Sequence, residues 1–147
     1  MKHYAIIISI FTIIISSNAY SQEDGIKFFK GSWNELLAES KKNNKPIFVD
    51  AYAIWCGPCK YMNANVFTDK AVGEFYNKNF VNYKFDMERG EGPTFAKEYG
   101  VRAYPTLFFL NADGSILHKS LGGKKVDMFL DLGQDALKKL EKAKVKK

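Results

Sequence analysis

The chain holds two cysteines, Cys56 and Cys59, set three positions apart in Trp55-Cys56-Gly57-Pro58-Cys59-Lys60. Thiols at this spacing can close a disulfide without large backbone movement, since bridged Cα atoms must lie within about 7 Å. The loop so closed is too short to hold a fold together, so the value of such a bridge is chemical. An apolar run, residues 46–52, precedes the pair and reads as a buried strand, and a helical pattern follows it. Cys56 then falls where a strand hands over to a helix N-terminus, whose unpaired N–H groups and dipole favour a thiolate. The pattern describes a redox dithiol. Its position makes Cys56 the nucleophile and the more exposed thiol, and Cys59, inside the first helical turn, the resolving one.

Other uses of the pair fit less well. A structural zinc site wants four ligands, and outside the extreme N-terminus only His118 is left to add. Attachment of a c-type haem needs histidine where Lys60 stands. A soft ion such as Cu(I), held by Cys56, Cys59 and Met62, leaves Gly57, Pro58 and Asp50 without a purpose. A redox-inert adaptor leaves the intact pair unexplained. The expected chemistry needs no cofactor or metal beyond the dithiol itself.

A helix and strands must position these groups, and 147 residues suffice for one domain with a real core. A hydrophobic content of 46%, with 15% aromatic residues, argues against disorder. The net charge is +6, yet the basic residues are not arranged for nucleic acid. Many gather late in the chain, at Lys138, Lys139, Lys142, Lys144, Lys146 and Lys147, where cations suit a helix C-terminus. Residues 1–21 have the grammar of a secretory signal. Lys2 and His3 start it, an apolar stretch over 4–15 follows, and Ala19-x-Ser21 precedes a cut at Gln22. A cut after Ala19 or an uncleaved anchor are the alternatives. Residues 22–147 are then the mature domain. Scaffold disulfides of exported proteins come from widely spaced cysteines, and this chain has none.

Along the mature chain the pattern predicts an edge strand at 26–29, then a helix opened by the capping box Ser32-Trp33-Asn34-Glu35. After the strand at 46–52, the helix from Cys59 turns Met62, Val66 and Phe67 inward. Thr68 is placed to cap a second helix over 70–79. A strand at 80–87, a charged Gly-rich loop, a short helix at 94–99 and a strand at 106–110 come next. Asn111-Ala112-Asp113-Gly114 turns the chain into a last strand at 115–121, ahead of a final amphipathic helix carrying Val126, Phe129, Leu130, Leu137 and Leu140 inward.

That order resembles the thioredoxin superfamily over roughly residues 26–140. The resemblance is carried by the hexapeptide, by Asp50 six residues before Cys56, by the run at 99–106 and by the Asp113-Gly114 hairpin. Ala64 in place of a kinking proline, and the break at Val66-Phe67-Thr68-Asp69, are similar to the C-terminal domain of transmembrane thiol–disulfide interchange proteins of the DsbD type. The implied fold is α/β, a central mixed sheet flanked by helices on both faces. The resemblance implies a proton acceptor at Asp50 for Cys59, with Lys84 beside it. It also implies a cis proline at Pro105, and substrate contacts from Trp55, Gly57, Pro58 and Tyr104. Tyr104 departs from the aliphatic or Thr side chain usual there. The activity implied is exchange of the dithiol with disulfides of exported, periplasmic proteins, as a reductant and a monomer, fed by a membrane thiol electron transporter. A disulfide oxidase or isomerase is the alternative within that class.

Overall fold

A computed structural model describes residues 24–145. In chain order the elements are α1 (Trp33–Asn43), β1 (Ile47–Tyr52), α2 (Gly57–Asn65), α3 (Lys70–Asn79), β2 (Val81–Asp86), α4 (Gly92–Glu98), β3 (Thr106–Leu110), β4 (Ile116–Leu121) and α5 (Val126–Val145). The sheet is mixed and its order is β2-β1-β3-β4, with β1 parallel to β2 and antiparallel to β3. Its architecture is the thioredoxin fold.

Strand alternation divides the core between the two faces of the sheet. Phe48, Leu107 and Phe109 face one way and pack with Met62, Tyr76, Phe129 and Ala136 of α2, α3 and α5. Ile47, Val49, Phe108 and Leu110 face the other way, against Leu36 of α1 and Phe95 of α4. Because β1 is covered on both faces, its sequence is apolar throughout except at Asp50. Parity places Asp50 on the Phe48 face, the one roofed by α2.

Three expectations need correction. Residues 26–29 do not form a strand, and only Phe28 bridges to Asn82. Only Phe29 N–H reaches β2, at the Asn82 carbonyl; Ile26 N–H donates to the Phe67 carbonyl and Lys27 N–H to Asn77 Oδ1 at 2.8 Å. Thr68 does not cap α3. Its hydroxyl donates back to the Ala64 carbonyl, and Asp69 is the N-cap, accepting from Val72 N–H at 3.0 Å. The short helix α4 begins at Gly92, whose Cα leaves no room for a side chain against the Asp86 carbonyl. The Ser32–Glu35 capping box is present in both directions.

Candidate active site

Cys56 is the N-cap of α2, with Gly57 and Pro58 opening the helix, where a proline's missing N–H costs nothing. The Cys59 N–H donates to Cys56 Sγ at 3.2 Å, so the helix N-terminus points a donor at the first sulfur. Cys56 and Cys59 are joined as a disulfide, with Cα atoms 5.3 Å apart. The expected difference in exposure is not found in this bonded form: the two residues are 3% and 5% accessible. They share a small cluster with Ala53, against which Tyr52 and Tyr104 pack.

Around the disulfide the surface is apolar. Trp55 is 63% exposed, so it stands at the surface next to Cys56 and is not core. Its ring meets that of Tyr104 edge to face at 5.7 Å, and its Nε1–H donates to the Glu88 carboxylate at 2.9 and 3.0 Å. Ile54, half exposed, lines the cavity beside Cys59. The Tyr104–Pro105 peptide bond is cis, Pro105 is buried, and its carbonyl accepts from Gly122 N–H.

Beneath the dithiol, register brings the charged pair together. Asp50 and Lys84 are direct partners across the parallel β1–β2 ladder, and both project toward α2. Asp50 is 1% exposed, and Lys84 Nζ lies 3.4 Å from its Oδ2. This is a charge contact without hydrogen-bond alignment, since neither Asp50 oxygen has a hydrogen-bond partner. Burial pushes the carboxyl up to about 6, with Lys84 pulling the other way both by its charge and by its close polar contact. A carboxyl poised there can accept a proton near neutral pH. A cavity of about 280 Å³ opens beside it, lined by Lys84, Cys59, Tyr52, Ile54, Lys60 and Asn63. The carboxylate's partner and Cys59 thus line one space.

Two neighbours escaped sequence reasoning. Glu88, which braces Trp55, lies in a stretch readable only as charged loop. Asn63 accepts from Lys84 Nζ at 2.8 Å, and its position four residues after Cys59 was the available sign, because i and i+4 share a helix face. Met62, weighed as a soft-metal ligand, is fully buried, and its Sδ accepts from Lys124 N–H.

Residues 33–137 match the family model of the thioredoxin-like domain, and the chain belongs to that family. It is a thiol–disulfide oxidoreductase. Thioredoxin H4 of Arabidopsis thaliana is 36% identical over 96 residues, which are 65% of this chain and 76% of that protein. Among solved structures, a candidate disulphide-isomerase from Bacteroides thetaiotaomicron is 40% identical, with a TM-score of 0.71 over 80% of this chain and 97% of that one. The oxidised C-terminal domain of DsbD from Neisseria meningitidis is 28% identical, with a TM-score of 0.60 over 70% of this chain and 90% of that domain.

Proposed function

We propose that this chain is an exported protein-disulfide reductase. The observation that carries the chemistry is the Cys56–Cys59 pair at a helix N-terminus, with Cys59 lining one cavity with Lys84, the charge partner of the buried Asp50. In the reduced protein the Cys56 thiolate attacks a substrate disulfide. One substrate sulfur leaves as thiolate, and a mixed disulfide forms. Cys59 gives its proton to Asp50 and attacks Cys56 Sγ, releasing the second substrate sulfur and leaving the Cys56–Cys59 disulfide. Two electrons pass to the substrate. The rim made by Trp55, Tyr104, Gly57, Pro58 and Pro105 receives the peptide around the target disulfide.

Support for direction is the Gly57-Pro58 spacer, which adds no histidine to stabilise a reduced thiolate further, together with the likeness to the DsbD C-terminal domain. Support for export is the pattern of residues 1–21, which lies outside the described residues. Among the described residues no helix is long and apolar enough to cross a membrane. The partners are then oxidised cysteine pairs in other exported proteins, cytochrome-maturation factors being one class. The electron donor is a thiol transporter in the membrane. The likeness to a candidate isomerase favours shuffling of disulfides as the second reading.

Trapping tests the division of labour. Cys59→Ser is expected to accumulate mixed disulfides with substrate proteins, and Cys56→Ser to trap none and reduce nothing. The reverse result overturns the assignment.

A further inference from the structure

Lys84 is shared between two acceptors of different kinds. Its ammonium donates to Asn63 Oδ1 at 2.8 Å and stands 3.4 Å from Asp50 Oδ2, where no hydrogen bond is formed. Three aromatic rings close in on the same nitrogen: Tyr52 at 4.8 Å, Phe67 at 5.1 Å and Phe28 at 5.4 Å from their centroids. These faces attract the cation but offer it no lone pair. An ammonium can only donate, so the Asn63 amide must turn its oxygen to it. Asn63 is the one hydrogen-bond acceptor that Lys84 Nζ has among the described residues. It sits one helical turn beyond Cys59 and lines the cavity that Cys59 and Lys84 share.

We infer that Asn63 is a positioning residue, which draws the Lys84 ammonium away from Asp50 and so keeps the carboxylate in charge contact but not hydrogen-bonded. The difference matters because a buried carboxylate gains most from a charge-assisted hydrogen bond and much less from a cation one step removed. Without Asn63, Asp50 is the one protein acceptor beside the ammonium among the described residues, and the rings leave the ammonium free to close onto Asp50 Oδ2. The carboxyl would then become a stronger acid and a weaker proton acceptor. Other groups facing this spot are Tyr52 from β1, and Lys60 and Cys59 from α2. From β3 the partner of Asp50 is Leu107, which does not titrate.

The catalytic consequence rests on the reading that Asp50 takes the Cys59 proton, but the placement itself can be read without turnover. The test is the titration of the Asp50 carboxyl carbon by NMR in the oxidised protein. It compares wild type, Asn63→Ala, Asn63→Asp, and Asn63→Ala in a Lys84→Met background. Asn63 lies on the exposed side of α2, and a cooperative unfolding transition with native-like dispersion of the NMR spectrum shows for each variant that the fold is kept. Asn63→Ala should lower the Asp50 midpoint by about one pH unit. Asn63→Asp keeps the acceptor, so its midpoint should stay at or above that of wild type. With Lys84→Met, Asn63→Ala should shift nothing. An unchanged or raised midpoint in Asn63→Ala, or an equal fall without Lys84, overturns the inference. The pH profile of mixed-disulfide resolution in Asn63→Ala should move with the carboxyl. A carboxyl that shifts while this profile stays still supports the role of Asn63 and contradicts Asp50 as the base.

Discussion

At the scale of single residues, the chemistry rests on a cysteine pair at a helix N-terminus and on one carboxylate buried in an apolar strand. A lone CxxC between a strand pattern and a helix pattern allows few uses, and a single carboxylate inside an apolar run announces its own desolvation. What could not be read was the company Asp50 keeps. Lys84 lies 34 positions away, and only the β1–β2 register makes the two neighbours. Burial has a thermodynamic consequence that can be signed. The Asp50 carboxyl rises from 3.8 to about 6 on folding, so the folded state binds the proton more tightly than the unfolded chain. The stability tied to this group is present below its unfolded value and is lost as pH rises through about 6. By neutral pH the loss approaches roughly 3 kcal/mol, from about two units at 1.36 kcal/mol each. Asp50→Asn carries no charge to desolvate. It should therefore be more stable than wild type by up to about 3 kcal/mol at pH 7, with the gain shrinking toward about pH 4. It should also resolve mixed disulfides more slowly near neutral pH. Denaturant unfolding at both pH values, with stopped-flow resolution rates, checks this. A gain that does not depend on pH would contradict the ionised, buried carboxyl.

Elements were legible where periodicity and caps agreed, and misread where side chains competed with the backbone ladder. The Ser32–Glu35 box and the apolar β1 and β3 follow directly from pattern. Residues 26–29 are apolar enough for a strand, yet Asn77 and the Phe67 carbonyl take the Lys27 and Ile26 donors, so the segment is fastened to α3 and the α2–α3 break and meets β2 only at Asn82. At the α2–α3 break, Thr68 and Asp69 are both good caps by type. The choice went to Asp69 because the Thr68 hydroxyl reaches back to Ala64. Asp69→Ala should accordingly cost about 1 kcal/mol of stability, and Thr68→Ala distinctly less. Unfolding midpoints of the two variants decide between them, and the opposite order would return the cap to Thr68. The disulfide depends on this region only through α2, so both variants should keep their exchange activity.

For the whole molecule, pattern was enough for a mixed sheet with helices on both faces, and for the placement of the dithiol at the end of β1. Each face of that sheet has its own aromatic core. On one, Tyr76 stacks on Phe129 with centroids 4.2 Å apart and donates its hydroxyl to the Phe129 carbonyl. On the other, Phe95 stacks on Tyr99 at 4.1 Å. The two layers hold β1 rigidly between them, which is what a redox centre at its end requires. The proposed export rests on the pattern of residues 1–21 and predicts that mass spectrometry of the protein from its native cells finds a mature N-terminus at Gln22. Retention of residues 1–21 in a membrane fraction would favour the anchor instead.

Direction of electron flow is where the reductase reading is most exposed. An exported dithiol cannot meet cytosolic reductants directly, so it stays reduced only if a membrane carrier recharges it. Rapid acid quenching of intact cells, followed by alkylation of free thiols, counts the reduced fraction of Cys56 and Cys59. The account predicts a pair that is mostly reduced and becomes oxidised when membrane thiol transporters are removed. A pair that is mostly oxidised, and indifferent to that removal, would contradict it.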